Sequence, residues 1–374
     1  MNHLTGIRRN PAGRVSFYLS GFAEPDEAGV RAYSLDPSTG RCTLEAEYTS
    51  LRNPAYVLCH PRRPVLYAVE EVNPMGGVVA LAMDGVALRP LRALPSGGAG
   101  PCHLALSPDA RFLFVSHYAG GCLTVFALDE DGVPTRVSDF VQHTMSAQDR
   151  DGANPVRQER AHVHFALCDG KRVFVNDLGL NRVFIYGWDA VQGKLVDHGE
   201  RIEFPKGAGP RHLTVSEDGR HLYVLCELNA QVHVFEQDGD GSWRRVQVAS
   251  TVPDEFTMFA DFTYSVGAAI RLVDGHTLYA STRGHNSIAA FRVAEDGRLS
   301  ERRIFSSEGK TPRDFEVAQG CVIVANQDSG CISVFRRDDR TGAYRLKSQT
   351  CHVGQPSCVC LIPARSQGQR MKRM

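Results

Sequence analysis

The sequence predicts an all-β fold: one seven-bladed β-propeller, ordered over about 17–363, whose ring is closed by a C-terminal strand that completes the N-terminal blade. Three observations predict it. A phrase of three short strands and their turns recurs along nearly the whole chain, seen in "GPCHLALSPDARFLFVSHYAGGCLTVFALDEDG" from Gly100 and "GPRHLTVSEDGRHLYVLCELNAQVHVFEQDGDG" from Gly209. The units contain strand patterns only, which points to propeller blades rather than helical solenoids. The first unit lacks an opening strand, and the far end of the chain supplies an opening strand with no blade of its own.

Each unit opens at a Pro or its equivalent, alternates briefly, turns at an Asp-Gly type corner, runs on to Tyr or Phe plus Val, breaks, and runs a third time. Pro54 to Pro101 is 47 residues and Pro312 to Pro356 is 44. The 109 residues from Pro101 to Pro210 divide at Ala161, and the 102 from Pro210 to Pro312 divide near Ala268. The N-terminal unit runs from "FYLSG" at Phe17 to "YTS" ending at Ser50, and "GQPSCVCLI", Gly354 to Ile362, is the orphan strand that completes it. Closure of this kind removes sheet edges that would otherwise invite aggregation.

Composition excludes several function classes. A chain of 374 residues built as a ring is one domain with an extensive core. Lys+Arg and Asp+Glu are both 42, so no basic field is available for nucleic acid or an anionic membrane. The opening "MNHLTGIRRN" has no apolar targeting core, and no stretch reaches the ~18 apolar residues of a spanning helix. A soluble, cytoplasmic protein is expected, a monomer or weak homo-oligomer. Most of the 11 cysteines sit singly in apolar runs, as Cys59, Cys168, Cys226 and Cys321 do, and read as buried thiols; Cys358 and Cys360, on one face of the closing strand, read as core. The basic tail "ARSQGQRMKRM" after Pro363 is expected to be disordered.

Chemistry in a repeat protein belongs where the repeat's rules break. Each innermost strand starts at one rim and the second strand returns to it, so residues after the opening Pro and after the second strand surround one channel mouth. The first set is Ala55, Cys102, His162, Arg211, Arg313 and Ser357. The second is Glu70 and Glu71, His117 and Tyr118, Asp177, Glu227, Arg283, and Asn326 with Gln327. A ring of charged groups is not needed to pack sheets and suits a ligand site. Blander readings stand beside it. Arg313 could pair with Asp314 or Glu316, and His60, His103 and His212 read as structural. His162 and His164, two apart in "AHVH", would face one way on a strand and could bind a metal, but no third ligand is evident and no metal or other cofactor is expected.

The chain resembles the seven-bladed propeller lactonase family, which includes propeller-type bacterial 6-phosphogluconolactonases and fungal carboxymuconate lactonizing enzymes. The likeness rests on "NPAYVLCHP" (Asn53 to Pro61), "GPCHLALSPD" (Gly100 to Asp109), "RQERAHVH" (Arg157 to His164), "NDLGLNRVFIY" (Asn176 to Tyr186), "GAGPRHL" (Gly207 to Leu213), "STRGHNSIAAF" (Ser281 to Phe291), and "TPRDF" with "VANQDSG" (Thr311 to Gly330). The resemblance implies that His162 or His164, Arg211, Glu227 and Arg283 form the site. Departures occur at Arg160-Ala161, where the family has Pro before its His pair, at Thr282 and at His117.

The chemistry so implied is opening of a small anionic sugar-derived lactone, 6-phosphogluconolactone or a related one. Water is deprotonated as it attacks, the oxyanion is stabilised, and the ring oxygen is protonated as it leaves. Glu227 or one of His162 and His164 would be the base. Arg211 and Arg283, with Arg313, Asn326 and Gln327 at the same mouth, would hold the substrate's charge. A muconate lactonization needs the same anion grip. A non-catalytic scaffold of the WD40 kind is disfavoured by the absence of Trp-Asp endings in a chain with 2 Trp, and a six-bladed metal lactonase by the seven units.

Overall fold

The computed structural model describes residues 13–150, 154–256 and 266–363, so the expectation for the tail lies outside the described residues. Their chain folds into seven four-stranded antiparallel sheets. The innermost strands are Val57–Cys59, Pro101–Leu106, Val163–Cys168, Pro210–Val215, Gly267–Val273, Pro312–Ala318 and, for the N-terminal blade, Gln355–Leu361. Beside each lies the second strand of its blade: Val65–Glu70, Phe112–His117, Arg172–Asp177, His221–Cys226, Thr277–Thr282, Cys321–Asn326 and Val15–Phe22. Among the described residues helix is confined to one short turn, Ala147–Arg150.

Blade packing explains the sequence pattern. Second strands such as Phe112–His117, His221–Cys226 and Cys321–Asn326 are buried along their whole length, because both faces of each sheet meet a neighbouring blade. Alternate residues therefore enter different cores. Tyr18 joins Leu66, Ala68 and Leu81 of the following blade, whereas Phe17 and Leu19 join Ile323, Ala325 and Val334 of the last. Outermost strands need one apolar side only, and Ala87–Pro95 or Leu299–Ser306 is correspondingly mostly exposed. The inner hairpins turn through left-handed positions that glycine fills without strain, as at Gly219 (φ 73) in "SEDG".

The ring closes as the orphan strand requires. Gln355–Leu361 pairs antiparallel with Val15–Phe22 in the register Phe17↔Leu361, Leu19↔Val359 and Ser20↔Cys358. Cys358 and Cys360 pack toward the second blade and Val359 toward the seventh, so three consecutive residues join three blades. All 11 cysteines are free, and Cys351 is the exposed one.

Removal of residues from Gln355 onward takes away the buried side chains of Pro356, Cys358, Val359 and Ile362. At about 1.5–3 kcal/mol for a fully buried aliphatic residue, this loss is comparable with the about 5–15 kcal/mol total stability of a domain. The truncated chain is expected to lack a cooperative thermal transition; an undiminished melt by calorimetry would refute closure as a condition of folding.

Candidate active site

A single backbone irregularity, repeated from blade to blade, builds the mouth of the channel. Where the innermost strand begins in five of the seven blades, its register against the second strand skips one residue. Pro101 pairs with His117 and His103 with Ser116, which leaves Cys102 unpaired. The same bulge leaves out His164, Arg211, Arg313 and Ser357. A bulge twists its strand and re-aims the extra side chain. The result is a narrow cavity to which Ala55, Cys102, His164, Arg211, Arg313 and Ser357 each contribute from a different blade.

The second set is held at the same level by a second recurring bond. In five blades the residue after the second strand donates its N–H to the carbonyl just before the innermost strand: Glu71 to Asn53 (3.0 Å), Tyr118 to Gly100 (2.9 Å), Glu227 to Gly209 (2.7 Å), Arg283 to Val266 (2.7 Å) and Gln327 to Thr311 (2.9 Å). Members of the two sets meet where Arg211 of the first and Arg283 of the second both donate to Glu227.

At its centre Glu227 is enclosed by three guanidinium groups. Its Oε2 accepts from Arg211 Nε at 2.8 Å and Arg283 Nη2 at 2.9 Å, and lies 4.0 Å from His164 Nε2. Its Oε1 accepts from Arg157 Nη2 at 2.5 Å. Glu227, Arg211 and Arg283 are 1%, 3% and 6% exposed, so these charges interact with little solvent between them. Burial alone would raise the Glu227 carboxyl, but Arg283, Arg157 and Arg211 outweigh it and hold the group well below the ordinary carboxylate range. One carboxylate among three arginines leaves the cluster with surplus positive charge, which a structural ion pair does not require.

Arg157 was not among the expected site residues, although it opens the "RQERAHVH" motif. It lies in the long connection to the fourth blade, outside the strand register on which the expectation was built. Asn154 Oδ1 accepts from the Arg157 N–H at 3.0 Å, and the Gln158 amide donates to Leu178 O at 2.7 Å, which pins the segment over the mouth. Arg157 Nη2 also donates to the Tyr118 hydroxyl at 3.0 Å.

Three site expectations are corrected, and so is the blander alternative reading of Arg313. His162 does not stand in the cavity ring. The innermost strand opens at Val163 rather than near Ala161, so the bulge falls on His164, and the two imidazoles do not share a face. The His162 ring stacks on Tyr118 with centroids 4.2 Å apart, and its nitrogens lie 2.8 Å from Tyr118 O and 3.1 Å from Glu159 Oε2. His164 meets the edge of the same tyrosine, so the pair clamps Tyr118 from two sides.

The second correction concerns His164 as the base. Burial first, and the Arg211 charge second, hold the His164 imidazole well below its ordinary value, which makes it neutral at physiological pH and a weak base. Asn326 is the third. It is fully buried and donates to Ser307 O and Ser333 Oγ at 3.1 and 3.0 Å, a bond between strands rather than a group at the mouth. The neighbouring Gln327 does reach the mouth, where Arg313 Nη1 donates to its Oε1 at 3.3 Å.

The fourth concerns Arg313. Asp314 and Glu316 are engaged by Arg271, at 2.9 and 2.8 Å, and among the described residues no carboxylate lies within ion-pairing distance of Arg313. It rests over the Phe22 ring, 5.1 Å from the centroid. His103 and His212 are buried as expected of structural residues, with ring centroids 5.6 Å apart. Among the described residues no group of three or more His, Cys, Asp and Glu side chains is arranged to hold a metal ion.

This fold and this mouth can be set beside known proteins. The profile of the family described as "Lactonase, 7-bladed beta-propeller" matches residues 16–361. The chain belongs to that family. This lactonase is 32% identical over 357 residues to the 6-phosphogluconolactonase of Bacillus subtilis strain 168, covering 93% of this chain and 97% of the relative. Among solved structures it is similar to the periplasmic gluconolactonase PpgL of Pseudomonas aeruginosa, with a TM-score of 0.83, 28% identity and coverage of 94% and 99% of the two chains. A protein from Lactobacillus plantarum superposes with a TM-score of 0.83 at 27% identity over 93% and 99%. The enzyme class expected from the motifs, a lactonase, is the one these likenesses support.

Replacement of Glu227 by Gln would leave three buried or half-buried guanidinium groups without their counter-charge. Breaking such a buried ion network costs about 3–5 kcal/mol, and the Glu227→Gln variant of this lactonase is expected to lose stability on that scale in chemical denaturation. The sign with pH follows from the depressed carboxyl. Its contribution is fully present above the ordinary glutamate pKa and is lost as pH falls through the lower folded value, so the variant should show a shallower loss of stability on acidification. Equal acid profiles for both proteins would contradict the assignment.

Proposed function

We propose that this chain hydrolyses a small anionic sugar-derived lactone, 6-phosphogluconolactone or a close relative, at the channel mouth, by acid–base catalysis carried by its own residues and without a metal. The observation that carries the reading is the charge excess: four arginines, Arg157, Arg211, Arg283 and Arg313, converge where, among the described residues, Glu227 is the carboxylate held in ion pairs, by the first three. The name of the Bacillus subtilis relative supports a phosphorylated substrate, and that of the Pseudomonas aeruginosa structure supports a gluconolactone ring. The free state of every cysteine is consistent with a reducing, cytoplasmic setting.

The geometry divides the work. Arg313, which among the described residues has no carboxylate within ion-pairing distance, and Gln327 beside it suit the substrate's phosphate or carboxylate, since a guanidinium fork matches such oxyanions. Arg211 and Arg283, fixed by Glu227, are preorganised donors for the oxygen that becomes negative when water attacks the lactone carbonyl. Glu227 orients these donors; a carboxyl held so far down is a poor proton acceptor. His164, neutral and buried between Cys102 and Glu227, supplies a hydrogen-bonding wall.

A panel of phosphorylated and unphosphorylated lactones, assayed by acid release, tests the reading. Arg211→Ala and Arg283→Ala are each expected to lower kcat/KM by ~10²-fold, about 2–4 kcal/mol of transition-state stabilisation. Arg313→Ala should raise KM for the phosphorylated lactone more than for the uncharged one. Exhaustive chelation should leave the rate unchanged. Failure of the intact protein to open any lactone in the panel would overturn the proposal.

A further inference from the structure

We propose that Glu71 is the general base that deprotonates the attacking water, an assignment that rests on the lactone-hydrolysis reading above. Glu71 occupies, in the second blade, the register position that Glu227 occupies in the fifth and Arg283 in the sixth, fixed by the same bond from its own N–H to the carbonyl of Asn53 at 3.0 Å. The two rim glutamates have opposite surroundings. Glu227 has both oxygens saturated by arginines. The Oε2 of Glu71 is shut off from solvent and has no hydrogen-bond partner among the described residues.

A buried carboxylate oxygen with no donor is a defect in a packed blade, and native interiors tolerate few of them. The charges that act on it belong to the site itself, Arg313 of the seventh blade and Arg211 of the fifth, and it acts in turn on the Cys102 thiol of the third; all three are bulge residues that line the cavity. Its chain neighbour Glu70 is turned elsewhere, accepting from the Arg52 N–H at 3.1 Å. Burial raises the Glu71 carboxyl above its ordinary value, and Arg313 and Arg211 oppose this only in part. A carboxylate with raised pKa is the stronger proton acceptor once ionised, so environment pushes the two rim carboxylates apart into an anchor and a base.

The step balances with groups already present. The Glu71 carboxylate takes one proton from water as the water oxygen bonds to the lactone carbonyl carbon, and the carbonyl π pair moves onto its oxygen, facing Arg211 and Arg283. Collapse of that oxyanion breaks the bond to the ring oxygen, which takes the proton from the Glu71 carboxyl. The acid product then ionises, and one proton is released for each lactone and water consumed.

The test compares the intact protein with Glu71→Gln and Glu71→Asp on the same lactone panel, with pH profiles, product binding by calorimetry and thermal melts. In the parent, activity should rise with pH through an apparent pKa above the ~4.3 of an ordinary glutamate. Glu71→Gln should lower kcat by ~10²-fold or more, in the range of lost acid–base catalysis, while KM and product binding change by no more than a few-fold. Glu71→Asp should keep part of the activity with a displaced acidic limb. The sign of the linkage gives a readout that a structural role would not produce. A carboxyl raised in the folded state loses stability as pH rises through that value, so Glu71→Gln should melt no lower than the parent at neutral pH.

Retention of kcat in Glu71→Gln, an unchanged acidic limb in Glu71→Asp, or a loss of activity accompanied by lost product binding would overturn the role of Glu71 and leave the lactonase reading intact. A parent protein that opens none of the lactones would overturn that reading itself, and the base assignment with it.

Discussion

Glu227 and the three guanidinium groups around it are the interaction on which the channel mouth depends. Arg211 comes from the fifth blade, Arg283 from the sixth and Arg157 from the connection that precedes the fourth, so one buried carboxylate joins separate parts of the ring at a single point. Like charges at this spacing repel strongly when solvent is excluded, and without the carboxylate the arginines could not share the space. The surplus positive charge that remains is what a negatively charged reactant can complete. On the proposed reading, structural cohesion and stabilisation of the reacting oxyanion come from the same atoms.

That cluster can exist only because the backbone presents it. A propeller sheet packed on both faces spends its side chains on neighbouring blades, as the alternation of Tyr18 with Phe17 and Leu19 shows, and offers nothing to the axis. The bulge at the start of the innermost strands changes this by freeing one residue from the ladder in blade after blade. Five such residues, Cys102, His164, Arg211, Arg313 and Ser357, share a backbone situation and differ in chemistry. The scaffold is thus repeated while the site is not, which is how a ring of near-identical units acquires one asymmetric pocket.

The aromatic and loop residues around the mouth serve this arrangement. Tyr118 is held between His162 and His164 and hydrogen-bonds to Arg157, so the imidazole pair positions the third arginine through a tyrosine. Gly179, in the "NDLGLN" turn, lies against the backbone of Arg160 and His162 so closely that any Cβ would collide with the Arg160 carbonyl. The segment carrying Arg157 and His162 thereby has one path over the rim.

The sequence alone determined the number of blades and the closure of the ring, because the recurrence of Pro-openings, Asp-Gly turns and apolar runs reflects local geometry and two-sided burial. It also placed Arg211, Arg283, Glu227 and Gln327 at one mouth, since their positions follow from counting along strands that keep their register. Tertiary structure decided what counting could not. The opening at Val163 shifted the cavity position from His162 to His164, because a bulge adds a residue without leaving a mark in hydrophobic alternation. Asn326 differs from Gln327 by one position, and in a strand of period two that difference turns the side chain from the mouth into the packing between strands. Arg157 reaches Glu227 across 70 residues of chain. The contrast between a saturated Glu227 and the partnerless Oε2 of Glu71 depends on which arginines the folded ring brings near each carboxylate, and no spacing along the chain encodes that.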